Sequence, residues 1–319
     1  MNRFLILSIF LFLILSCKKE KINKVDISSI QVTVVVDRFE EKFYGTTEQS
    51  LPALKNEYPF LFPVQNPDSV WLNRIKNEEE KNLFVESQIV FGDFKSEKVI
   101  LESLFRHVIQ NHSDFKPPRI ITLITDLDYE NKVIYADSLL FVSLDMYLGR
   151  NNEVYNDFPK YLSHNFDKKH LVVDVAHAIS EKYLNENRSR QFLNTIITEG
   201  KKMYMVDRYL PTVSDAQKMG YSNEKFEWVI NNESQIWKYF VEKKLLYSTD
   251  SDLYARFIGN APFSKFYIDI DKESPGKIGV WLGWSIVRSY MLNNNVTLQQ
   301  LLQTPAAEIF KKSKYKPKK

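Results

Sequence analysis

The sequence predicts an α+β fold, with an N-terminal mixed sheet and helices followed by a mostly helical C-terminal half. Three observations predict it. Strand-like runs rich in β-branched and aromatic residues occur only before Gly149. Six helical patterns then follow one another to the C-terminus. The 319 residues are 44% apolar and 14% aromatic, enough to bury a sizeable core. A doubly wound sheet would need strands and helices to alternate throughout, and here they segregate.

The opening is read as an address. Arg3 precedes thirteen uncharged residues, Phe4 to Ser16, which end at Cys17 and the charged run Lys18, Lys19 and Glu20. A positive start and a short apolar run make a secretory signal, too short for a transmembrane helix of about 20 residues. Ile14-Leu15-Ser16-Cys17 is similar to the end of a bacterial lipobox, and Cys17 is the protein's one cysteine. Residues 1–16 are therefore expected to be a lipoprotein signal peptide, 17–29 a lipidated cysteine and polar tether, and 30–319 a single globular α+β domain. Several acyl chains on Cys17 would hold that domain durably at a membrane.

Within the domain, strands are expected over residues 31–36, 119–124 and 132–144, the second preceded by Pro117-Pro118. Helices are expected over 68–83 and over 98–111, where Leu101, Leu104, Phe105 and Val108 fall at helical spacing. After Gly149 the helical spans are 170–184, 190–209, 223–243, 253–258, 277–292 and 298–311. Pro211 closes the second of these, and Ser274-Pro275 is read as the cap and first-turn proline of the fifth.

Composition excludes several functions. The balance of 43 Lys and Arg against 40 Asp and Glu, a net charge of +3, leaves no basic stripe for a nucleic-acid partner. One cysteine excludes a disulfide framework and any zinc or redox site built on paired cysteines. No cofactor is expected.

One helix invites a chemical comparison. In the zincin motif HExxH, two histidines at i and i+4 share a helix face and one zinc, and the glutamate between them is the general base. In Leu171-Val172-Val173-Asp174-Val175-Ala176-His177, His177 matches the second histidine and Asp174 the glutamate, but Val173 occupies the first ligand position. Glu199, on the next expected helix, resembles the third ligand of glutamate-type zincins. The pattern is degenerate: two ligands of three remain, so neither a catalytic residue nor a metal is assigned. The bland alternative is that His177 is a helix histidine satisfied by Asp174 or by Glu199. Asp126 and Asp128 read as an Asx-rich turn, and Gly276, Gly279 and Gly283 as a close helix contact.

Several longer segments share one resemblance. Ile134-Tyr135-Ala136-Asp137, Ser143-Leu144-Asp145-Met146-Tyr147-Leu148-Gly149, Glu199-Gly200-Lys201-Lys202-Met203-Tyr204, Ala261-Pro262-Phe263-Ser264-Lys265-Phe266 and the run Ser274 to Trp284 join the lipobox and the closing Ser313-Lys314-Tyr315-Lys316-Pro317. Together they resemble the GldB family of gliding motility lipoproteins of the Bacteroidota. The resemblance implies a non-catalytic cell-envelope lipoprotein required for gliding and linked to type IX secretion. It also implies a lipid anchor in the outer membrane facing the periplasm, and envelope proteins as partners. Two other readings stand beside it: a periplasmic zinc-dependent hydrolase using His177 and Glu199, and an envelope binding module for a ligand such as peptidoglycan.

Overall fold

The computed structural model describes residues 27–184, 189–269 and 271–318. The signal peptide, Cys17 and most of the tether lie outside the described residues. The fold is α+β, with a small mixed sheet near the N-terminus and a helical C-terminal half.

Strands β1 (Val36–Arg38), β2 (Arg119–Leu123), β3 (Val133–Ala136) and β4 (Leu139–Ser143) form a sheet of order β1-β2-β4-β3. β2 pairs in parallel with both β1 and β4, and β3 returns antiparallel to β4. The expected strand over 132–144 is thus a hairpin, turned at Asp137 with φ 50°. Asp and Asn tolerate that left-handed conformation better than most residues with a β-carbon. The expected strand over 31–36 begins only at Val36, although Val32 and Val34 are already buried in alternation.

Side chains alternate across the sheet and feed two cores. Ile120, Leu140 and Val142 face the large one. Ile121 belongs to a smaller aromatic cluster of Phe39, Phe43, Tyr58, Phe62 and Trp71, against which Leu139 and Phe141 also pack. Helices α1 (Phe39–Tyr44), α2 (Leu51–Glu57) and α3 (Asp68–Lys76) supply that cluster. The expected helix over 68–83 is broken at Asn77, whose extended backbone ends α3 and whose side chain accepts the Glu80 N–H to cap α4 (Glu78–Phe91). Helix α5 (Lys95–Asn111) follows and buries Leu101, Leu104, Phe105 and Val108, as their spacing requires.

After the short α6 (Lys160–Ser163), the helical half contains α7 (Leu171–Glu181), α8 (Phe192–Tyr209), α9 (Asp215–Met219), α10 (Asn223–Asn231) and α11 (Glu233–Glu242). It ends with α12 (Asp252–Phe257), α13 (Ile278–Asn293), α14 (Leu298–Gln303) and α15 (Ala306–Ser313). Asn232 divides the expected 223–243 span into α10 and α11. α13 is buried on most of its circumference, with Ile278, Leu282, Trp284 and Val287 inaccessible, so it forms the axis of this half.

α8 crosses α13 at backbone contact. A β-carbon on Gly283 would lie 1.9 Å from the Ile196 carbonyl oxygen, and one on Gly200 would lie 2.3 Å from the Gly283 carbonyl oxygen. Ser274-Pro275 does not cap α13. The helix starts at Ile278 after Lys277, and the Ser274 hydroxyl instead donates to the Asp271 carbonyl and accepts the Ser264 N–H, closing the preceding loop.

Candidate functional site

α7 carries its apolar residues inward, with Val173, Val175, Ala176 and Ile179 fully buried, and leaves Asp174 and His177 on the facing side one turn apart. Asp174 lies in the first turn, where the helix dipole favours a negative charge. Its carboxylate receives the Lys132 ammonium at 2.6 Å and the Tyr147 hydroxyl at 2.8 Å, and His170 Nε2 lies 3.6 Å away. Burial alone would push this carboxyl up; the Lys132 charge, helped by His170, reverses that and holds it well below the usual carboxylate range.

The His177 ring is placed by a different partner. Nε2 lies 3.1 Å from the Lys218 backbone carbonyl, which can only accept, so Nε2 carries the hydrogen. Burial, reinforced by the Lys202 charge, pushes the ring down to about 3, and it stays neutral. The expectation that Asp174 or Glu199 satisfies His177 is therefore corrected: Asp174 is engaged by the β3 side of the sheet, and His177 by the α9 backbone.

Val173, at the position of a first histidine ligand, is wholly within the core. Glu199 on α8 faces the same cavity as His177, and burial pushes its carboxyl up despite Lys202 nearby. Among the described residues, no three His, Cys, Asp or Glu side chains gather as ligands for a metal ion. His164 borders the cavity and accepts from Arg150 at 3.4 Å.

These groups line one cavity of about 960 Å³ between α7, α8, α9 and the loop before α13. Six lysines, Lys132, Lys160, Lys202, Lys218, Lys225 and Lys277, bring positive charge to it, and Glu130, Asp174, Glu181 and Glu199 bring negative charge. The sequence does not single out Lys132 or Lys277 for this cavity, or Tyr147 as a partner of Asp174; His170, seven residues before His177 and so roughly 10 Å from it along a helix, is set aside as a ligand. Tyr147 and Lys277 do lie in segments that carried the family resemblance, and that was the available signal.

Outside the cavity, the other singled-out residues are structural. Asp128 accepts the N–H groups of Glu130 and Asn131 in a turn. Asp145 is buried and accepts those of Thr125 and Leu127. Trp281 and Trp284 are buried in the core, and Trp284 Nε1 donates to Asp207 at 2.8 Å.

A family model described as "Gliding motility protein GldB" matches residues 20–317, nearly the whole chain. The chain belongs to the GldB family. It is thus a gliding motility lipoprotein, and the cavity is a feature of a GldB domain. No curated protein and no solved structure matches it. Among the described residues of this GldB chain, no helix is long and apolar enough to cross a membrane.

Proposed function

We propose that this protein is a non-catalytic lipoprotein, anchored through Cys17 in the outer membrane facing the periplasm, which positions other envelope components for gliding and is linked to type IX secretion. The observation that carries the non-catalytic part is the engagement of Asp174. A general base needs its carboxylate free to take a proton from water. Here Asp174 is occupied by Lys132 and Tyr147, and its affinity for a proton is strongly reduced.

The order Asp174, His177 on one helix and Glu199 on the next supports descent from an HExxH-type scaffold whose first ligand became Val173. A lost ligand and an ion-paired base leave a stable helical platform suited to binding. The partners are envelope proteins of the gliding machinery, and no nucleic acid is among them.

A deletion strain tests the reading, complemented with wild type and with Asp174→Asn. Deletion is expected to abolish gliding and type IX-dependent secretion. The mature lipoprotein is expected to contain no stoichiometric zinc and to hydrolyse no casein. A deletion strain that glides normally overturns the role in motility; zinc at one equivalent with casein cleavage overturns the non-catalytic assignment.

A further inference from the structure

The residue that opens α13 has an unusual setting. Lys277 adopts a left-handed backbone conformation, φ 58°, which costs a residue with a β-carbon roughly 1 kcal/mol or more. Gly276 before it is packed so closely that a β-carbon there would lie 2.3 Å from the Ala261 carbonyl oxygen. This loop aims the Lys277 side chain into the cavity, where its ammonium donates to the Met219 carbonyl at 2.9 Å. That contact uses one of its three N–H groups, and no carboxylate among the described residues forms an ion pair with it.

Lys160 and Glu130 also line the cavity but are exposed to water, and the other shielded cations are already engaged, Lys218 by Asp207. Lys132 is held by Asp174, Lys202 by Glu181, and Lys225 by the carbonyls of Lys272, Glu273 and Ser274. Glu199 is the exception among the carboxylates: it has no hydrogen-bond partner among the described residues. Lys277 and Glu199 act on one another through space, yet no ion pair joins them. The cavity therefore presents one cation and one anion, both withdrawn from bulk water and both incompletely paired.

We propose that this cavity binds a small zwitterion, a carboxylate with a neighbouring ammonium as in a free amino acid or a short peptide, with the carboxylate on Lys277 and the ammonium on Glu199. Such a ligand completes both charges at once, which is the condition for burying ions without a large desolvation cost. An anion without an ammonium fits less well, because it leaves Glu199 without a cation. The volume is in the range of small-molecule sites, and Met203, Met219 and Val280 supply apolar wall for a side chain. The inference goes beyond the role in gliding and is tested without it.

The test is calorimetric titration of the mature lipoprotein in detergent with alanine, alanyl-alanine, N-acetylalanine and inorganic phosphate. Alanine or alanyl-alanine is expected to bind, and which of them binds more tightly distinguishes an amino acid from a peptide. Lys277→Met is expected to weaken that binding by at least about tenfold. Glu199→Gln is expected to weaken the zwitterion similarly without weakening N-acetylalanine, an anion that lacks the ammonium; this arm decides the matter if Lys277→Met does not fold. Three results overturn the proposal: no binding of alanine or alanyl-alanine at about 10 mM, phosphate binding more tightly than either, or binding indifferent to Glu199→Gln.

Discussion

The Lys132 ammonium lies 2.6 Å from the Asp174 carboxylate, an ion pair that joins the β-hairpin to α7 and so ties the sheet to the helical half. Both side chains are largely shielded from water, about 19% and 18% exposed. Removing only the cation leaves a shielded carboxylate supported by Tyr147, with His170 Nε2 3.6 Å away. Lys132→Met is therefore expected to destabilise the fold by about 2 to 4 kcal/mol, and Lys132→Met with Asp174→Leu by clearly less. Denaturant melts of the single and double variants check this; a double variant less stable than either single one contradicts it.

His177 permits a finer test. The Lys218 carbonyl takes its hydrogen bond from Nε2, so His177→Ala leaves a shielded acceptor unpaired, at a cost of about 1 to 3 kcal/mol. His177→Gln keeps a donor of similar reach and should be milder. Loss of gliding is expected to follow loss of stability. Stable, folded variants that cannot glide would reopen the metal reading.

The crossing of α8 and α13 has no room for one methyl group. Gly283→Ala places a carbon against the Ile196 carbonyl and forces the helices apart, so a loss of about 3 kcal/mol or more is expected. Gly92→Ala is the control for added bulk, because no atom lies within 4 Å of that position and its cost arises from φ 51° alone. A Gly283→Ala melt equal to that of wild type would show that the helices are not in backbone contact.

Acid should destabilise the protein. Burial pushes His112 and His170 down to about 4 and His177 to about 3, whereas unfolded histidines take up protons near 6.5. The unfolded state thus binds more protons between those values, and the stability these rings contribute, complete above about pH 6.5, is lost as pH falls toward 4. Asp145 works in the opposite sense: burial raises it to about 6, and its contribution is lost as pH rises through that value. Burial also lowers His164 and raises Glu199, so four histidines stand against two carboxyls, and the melting temperature is expected to fall between pH 7 and 4.5, with a shallower slope in His177→Gln. A melting temperature that is flat or rises on acidification contradicts the assignment.

The proposed anchor is Cys17, with its thiol as the nucleophile to which a diacylglyceryl group would be transferred. Cys17→Ala is expected to accumulate as unprocessed precursor and to take up no palmitate analogue. Equal labelling of mutant and wild type would refute the lipobox.

The sequence by itself determined what depends on local pattern. Strand 119–124, the extended character of 132–144 though not its hairpin turn, the helical run after Gly149, the turn at Asp128 and the close glycine contact at Gly283 were legible, because β-branched runs, helical periodicity and glycine spacing act within a few residues. The family was legible too, since its segments are contiguous. Helices α1 and α2 were not: they are short, and their apolar faces gain stability only by packing in the cluster around Ile121 and Phe141, far away in sequence. Tertiary structure alone decided the partners of polar groups. Asp174 meets Lys132 and Tyr147, 42 and 27 residues away, His177 meets the Lys218 backbone 41 residues away, and Lys277 meets Met219. A side chain's hydrogen-bond partner is set by which elements the hydrophobic cores bring together, and no spacing within one helix encodes that.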